Sequence, residues 1–186
     1  MNYKIRIVFF LICFTNRLFS NEACQSTVKY TNNQYNITNK KAVCEITSKN
    51  TNSTITGLIE IHETINMINI SGTISGVTPN GVHAFHIHEY GDLRDSCNNA
   101  GAHYNPFNKK HGGPMNIDRH HGDLGNVQAD LTGTIFINIQ DAIVKLNGVN
   151  SIIGRSIVLH ENKDTFESQP SGNAGKRIAC CVIGLV

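Results

Sequence analysis

From Lys41 to the C-terminus the chain is written in short β-branched segments, cut by turn residues, and no helical apolar period lasts longer than two turns. Ile55, Leu58, Ile59 and Ile61 lie among Thr and Glu, and Met67, Ile68, Ile70 and Ile74 follow. Such residues suit a pleated, half-buried surface. Further strands are expected from His83 to Glu89, Thr134 to Ile139, Ile152 to His160 and Lys176 to Ile183. The turn signals are Gly76-Val77-Thr78-Pro79-Asn80-Gly81, Leu131-Thr132-Gly133 and Asn147-Gly148. Short strands with frequent turns make an all-β barrel or sandwich. Two stretches interrupt the pattern: 90–123, rich in Gly, Asn, Pro and His, and 161–175, polar and Gly-containing. Long loops in a compact domain are functional or disordered, and here histidine placement chooses function.

The first forty residues follow other rules. Lys4 and Arg6 precede an unbroken apolar run from Ile7 to Phe14, and Ser20 or Ala23 offers a small residue for cleavage. That order predicts a signal peptide over 1–20, cut between about 20 and 23. The run falls short of the about 20 apolar residues that span a bilayer, and no membrane association is expected. Residues 21–40 are polar and Asn-rich and read as a flexible arm, leaving 41–186 as the domain. The whole chain carries 16 basic and 14 acidic residues. Three of the basic ones lie in the leader, so the remainder is near neutral, and no nucleic-acid partner is expected. Secretion also fits three sequons at Asn36, Asn52 and Asn69, of which Asn69 falls in a strand pattern. Five cysteines follow the leader: Cys24, Cys44, Cys97, Cys180 and Cys181. An odd number in an oxidising compartment leaves a free thiol or an intermolecular bridge.

Seven of nine histidines fall between His83 and His121. His86 and His88 are two apart, so a strand presents both on one face, with Phe85 and Ile87 on the other. The first long loop adds His103, His111, His120 and Asp123, and His160 ends an apolar strand. This is more than one metal needs. An all-imidazole set suits copper(II), and imidazoles with a carboxylate suit tetrahedral zinc. His83 reads instead as a hydrogen-bonded core histidine, His121 as a loop residue, and His62 as an outward strand position without a role.

At these residues the sequence resembles the copper/zinc superoxide dismutase family. The resemblance rests on Gly81-Val82-His83-Ala84-Phe85-His86-Ile87-His88-Glu89-Tyr90-Gly91-Asp92, on Ala100 to Pro106, and on Lys110 to Pro114. It continues through Arg119 to Asn126, Gly154-Arg155-Ser156 and Gly172 to Cys180. It implies an eight-stranded, immunoglobulin-like Greek-key β-barrel or sandwich with two long functional loops. It assigns His86, His88, His103 and His160 to copper, and His103, His111, His120 and Asp123 to zinc, His103 bridging as an imidazolate. Asp164 matches a tether between His86 and His111, Arg177 the active-site arginine, and Cys97 with Cys180 the intrasubunit disulfide. The implied activity is dismutation of superoxide to oxygen and hydrogen peroxide by alternate reduction and reoxidation of copper, with His103 passing a proton. A homodimer is implied as well.

Some positions depart from the family. Cys181 stands where glycine is usual and could compete with Cys180 for its partner. Cys44 matches a position that is commonly a free thiol, and Cys24 could pair with Cys44 or with another chain. The loop from Asp164 to Gly172 is about six residues short and lacks the usual acidic and lysine residues of the anion channel. The competing function is a secreted copper-binding decoy or buffer on the same fold. The complete ligand set together with Arg177 favours the enzyme.

Overall fold

The computed structural model describes residues 40–48 and 54–186. Eight strands follow in chain order: β1 Lys41–Thr47, β2 Thr56–Glu63, β3 Ile68–Ser75, β4 Val82–His88, β5 Asp123–Gln128, β6 Thr134–Asp141, β7 Ser156–His160 and β8 Arg177–Val182. A two-residue β9, Gly184–Leu185, pairs with β1. The hydrogen-bonded order is β5-β4-β7-β8-β1-β2-β3-β6, and every pair of strands is antiparallel. The non-sequential neighbours β3–β6 and β4–β7 are the Greek-key crossings. An Ala129–Ile135 bridge joins the two ends, so the sheet closes nearly to a barrel. Among the described residues the only helix is a 3₁₀ turn, Asn98–Ala100.

Alternation builds the interior. Ile59 and Ile61 of β2, Ile68, Ile70 and Ile74 of β3, and Ile135 of β6 are fully or almost fully buried in one cluster. Each such side chain contributes about 1.5–3 kcal/mol on burial. Leu58 and Phe136 point outward between them. Strands β4 and β7 are covered on both faces. Phe85, Ile87, Ile157 and Leu159 fill the core, while His86, His88 and Val158 lie under the loops on the opposite face. The two long loops thus cover the histidine face of β4.

Two strand boundaries differ from expectation. The strand expected from Ile152 begins only at Ser156. Gly154, with φ of 77°, and the Arg155 amide bonded to the Ile152 carbonyl make Ile152–Arg155 a turn. Strand β5, unmarked in the sequence pattern, forms from Asp-Leu-Gly-Asn-Val-Gln. Pairing with β4 and burial of Leu124 and Val127 outweigh its poor β propensity.

The β1–β8 seam is thin in hydrogen bonds, with Thr47 opposite Cys180 as its one registered pair. It is covalently closed by a disulfide between Cys44 and Cys181, both buried. The Cys44 position, commonly a free thiol in the family, is therefore bonded here. Cys181 takes Cys44 and leaves Cys97 to Cys180. The reason is sheet parity: adjacent residues on β8 face opposite sides, Cys181 into the core with Cys44, Cys180 outward to the loop. Cys24, the leader, the arm and the Asn36 and Asn52 sequons lie outside the described residues. Asn69 is the second residue of β3, paired with His62 and Gln140, its Oδ1 buried.

Candidate metal centre

The site is built on the outer face of β4. The strand supplies His86 and His88, the end of β7 supplies His160, and the first loop folds back with His103, His111 and His120. Asp123 opens β5 beside them. The loop is pinned to β4 by backbone bonds: Tyr104 N–H donates to Ile87 O, and Ile87 N–H to Gly122 O. Arg119 fixes its far end. Its guanidinium pairs with buried Asp141 and donates to the Asp123 carbonyl.

These residues form two groups that share His103. The ligand atoms of His86, His88, His103 and His160 lie within 4.8 Å of one another, as do those of His103, His111, His120 and Asp123. All are buried.

Outer hydrogen bonds decide which nitrogen each ring turns inward. His86 Nε2–H donates to Asp164 Oδ2 at 2.8 Å, His88 Nδ1–H to Gly101 O at 3.0 Å, and His111 Nε2–H to Asp164 Oδ1 at 2.9 Å. His160 Nδ1 makes a longer contact, 3.4 Å, with Gly175 O. A carbonyl or carboxylate can only accept, so the opposite ring nitrogen of each neutral imidazole carries a bare lone pair. His86 Nδ1 and His103 Nε2 are buried without a hydrogen-bond partner, while His111 and His120 turn Nδ1 toward Asp123.

The donor set fits cations. His88 Nε2 and His160 Nε2 stand 3.1 Å apart, close enough for a hydrogen bond in one tautomer and for a shared cation when both rings turn a lone pair inward. On the other side, Asp123 Oδ1 lies 2.8, 3.0 and 3.2 Å from the Nδ1 atoms of His103, His111 and His120. One set is all nitrogen and the other has three imidazoles and a carboxylate, which suit copper and zinc respectively.

Ionisation follows the same geometry. Burial, then the neighbouring imidazoles His86 and His103, pushes His160 down to about 2. Burial and the coulombic effect of His86 and His111 outweigh Asp123 at His103, which falls to about 4. His88 is lowered mainly by burial. These rings stay neutral, as ligands must be. At His111 burial works downward, but Asp123 and Asp164 prevail and raise it to about 9. Burial opposes ionisation of Asp123 and Asp164 too, yet the histidines hold both carboxyls far below the usual range.

The second loop approaches closely because it contains Gly172, at φ of 68°. A Cβ there would stand 1.9 Å from Asp164 Oδ1. Asn126 holds the Asp164 backbone at both ends, donating to its carbonyl and accepting from its amide. Over the first histidine group lies a cavity of about 390 Å³, whose lining includes His88, His160, Asn105, Pro170, Ser171 and Arg177. Arg177 is the one charged side chain in that lining. Three carbonyls of the first loop, Cys97, Asn98 and Gly101, hold its Nη atoms at 2.8, 2.9 and 2.5 Å.

A family model described as copper/zinc superoxide dismutase matches residues 55–183. This chain belongs to the copper/zinc superoxide dismutase family. An extracellular copper/zinc superoxide dismutase of Brugia pahangi is 46% identical over 143 residues, covering 72% of this chain and 71% of that protein. Another extracellular one, from Haemonchus contortus, is 45% identical over 136 residues, with 70% and 74% covered. A superoxide dismutase of Paramecium bursaria Chlorella virus 1 is 47% identical over 136 residues, with 70% and 73% covered. The crystal structure of the clock protein EA4 superposes with a TM-score of 0.73 at 38% identity, covering 78% of this chain and 94% of that one.

All eight ligand positions expected from the copper/zinc superoxide dismutase resemblance, counting His103 in both sets, converge, and Asp164 reaches both His86 and His111. His83 is buried and donates from Nδ1 to the His160 carbonyl at 2.8 Å, while its Nε2 has no partner. His121 packs in the loop against Phe107, ring centroids 4.9 Å apart. Gln169 was not singled out from sequence. No motif marks it, and its contact spans 58 residues.

Proposed function

We propose that the chain dismutates superoxide to oxygen and hydrogen peroxide. His86, His88, His103 and His160 hold copper, and His103, His111, His120 and Asp123 hold zinc. The observation carrying this reading is His103, whose Nδ1 faces Asp123 while its Nε2 stands bare among the other group. Copper, when bound, supplies the one-electron chemistry, and zinc is redox-silent.

The chain's own groups do the rest. Two superoxide anions and two protons give one oxygen and one peroxide, so a site must bind an anion and supply protons. Arg177, with its Nη atoms on three carbonyls, presents its remaining donors and its charge to an anion in the cavity. No carboxylate lines that cavity to oppose it. His103 Nε2, buried and without a hydrogen-bond partner, is placed to hold and release a proton. Asp164 prevents His86 and His111 from turning away.

Secretion is supported by the names of the extracellular relatives and by the leader pattern, and an uncleaved N-terminus on protein from the medium would end that part. A homodimer is supported by an exposed apolar patch. Val43 pairs with Gly184 next to Leu185, and Val182 stands beside Gly91. A monomer in sedimentation at micromolar concentration would remove it.

The decisive test is dismutation by the mature protein loaded with both metals, against His160→Ala, at low and high salt. Turnover that falls with salt and disappears in the variant is expected. Full copper occupancy with negligible turnover would replace this reading with a copper buffer.

A further inference from the structure

The second loop, 161–175, reaches the zinc side of the site at its tip. Residues 165–172 close on themselves, with Thr165 N–H donating to Gly172 O and Gly172 N–H to Ser168 O. From this turn Gln169 extends to the first loop. Its Oε1 accepts from the backbone N–H of His111 at 2.9 Å, and its Nε2 donates to the His111 carbonyl at 2.9 Å. One side-chain amide thus serves both backbone groups of one residue, as a neighbouring strand would. Around His111 the loop has no strand of its own. The ring, meanwhile, is engaged by Asp164 at Nε2 and faces Asp123 at Nδ1. Phe166 of the same turn lies against Gly113, where an added Cβ would stand 3.1 Å from its ring.

We infer that Gln169 is a positioning residue for the zinc site: its amide clamps the His111 backbone so that His111 Nδ1 stays on the convergence point with His103, His120 and Asp123. The inference rests on the proposed assignment of His111 to zinc. The side chain holds His111 in direction through Asp164, but a ring on a loop backbone that drifts cannot stay in register with three other donors. Outer partners of this kind change metal affinity on the order of tenfold to a hundredfold when removed. Gln169 is exposed, so water replaces part of what is lost and the lower end applies. The copper group has no such contact with Gln169, so its retention should be independent.

The test uses the full mature protein loaded with copper and zinc, as parent, Gln169→Ala, Gln169→Glu and His111→Ala. Zinc and copper release to chromophoric chelators are timed separately, and the absorption spectrum of cobalt(II) substituted for zinc reports ligand geometry. Gln169→Ala should release zinc roughly tenfold faster, with altered cobalt bands and copper release within about twofold of the parent. Gln169→Glu keeps the acceptor for the His111 N–H and loses the donor, so it should fall between the two. Zinc release and cobalt bands unchanged in Gln169→Ala, while His111→Ala loses zinc, would overturn the clamp and leave the zinc assignment standing. Equal acceleration of copper and zinc release would overturn it too, because that pattern means general loosening. Zinc bound by His111→Ala as tightly as by the parent would remove the assignment itself.

Discussion

Replacing Cys44 and Cys181 by alanine together should cost about 4–5 kcal/mol of folding free energy, and the size follows from where the two disulfides lie. Cys44–Cys181 spans 137 residues and Cys97–Cys180 spans 83. Alone, the longer link would remove about 5 kcal/mol of denatured-chain entropy in the loop-closure relation. It is not alone. Cys180 and Cys181 are neighbours, so with Cys97–Cys180 intact the added link closes a loop of only 54 residues, 137 less 83. That is worth about 4 kcal/mol. The lost sulfur contacts in the core add up to about 1 kcal/mol. Hydrogen bonds at this seam give little compensation, since β1 and β8 share one registered pair. The assay is guanidinium unfolding of chelator-stripped, oxidised protein, followed by circular dichroism and tyrosine fluorescence, there being no tryptophan. Metals must be removed because they would also cross-link the chain between His86 and His160. With m of about 4 kcal/mol/M for a domain of this size, the midpoint should fall by about 1 M. Removing Cys97 and Cys180 instead, with Cys44–Cys181 kept, should cost a similar amount because the same smaller loop is relaxed. A midpoint shift under about 0.3 M in the Cys44/Cys181 variant would refute the reasoning, since it would mean that β1 stays against β8 without the bond.

Arg177→Ala should lower turnover at least tenfold, weaken its salt dependence, and leave copper occupancy intact, since Arg177 is in neither ligand set. Unchanged turnover by pulse radiolysis would remove the anion-guiding role. The metal-free protein should be most stable near pH 6.5–7. His103 and His160, lowered to about 4 and about 2, resist protonation that the unfolded chain accepts at 6.5, so their contribution is lost as pH falls below 6.5. Asp123 and Asp164 add losses below about 4. His111, raised to about 9, binds a proton more tightly when folded, so its contribution is complete below 6.5 and lost between 6.5 and 9. Unfolding midpoints from pH 4 to 9 should trace a dome, and a flat profile would contradict these shifts.

Strand alternation and turn residues made the barrel legible from the sequence. Isoleucines two apart in β2 and β3 can bury only one face, and the pair His86 and His88 placed a metal face on β4. Local pattern failed where tertiary forces decide. Strand β5 forms from polar residues because β4 offers a free edge and Leu124 and Val127 offer burial. Ile152-Ile153 reads as strand, but Gly154 turns the chain before β7. The disulfide partners of adjacent cysteines depend on which face of β8 each occupies, and that parity cannot be read until the neighbouring strands are in place. Gln169 shows the same limit at the site. A histidine reveals itself by its chemistry, whereas a glutamine that holds another residue's backbone has no type-specific signal and becomes visible only when the fold brings positions 111 and 169 together. The tip of the second loop lines the cavity with Pro170 and Ser171 and, through Gln169, ties down the residue on which both Asp123 and Asp164 converge. Arg177 is the one charge in the cavity lining, and under the proposed function the salt dependence of turnover measures how far a single guanidinium can guide an anion.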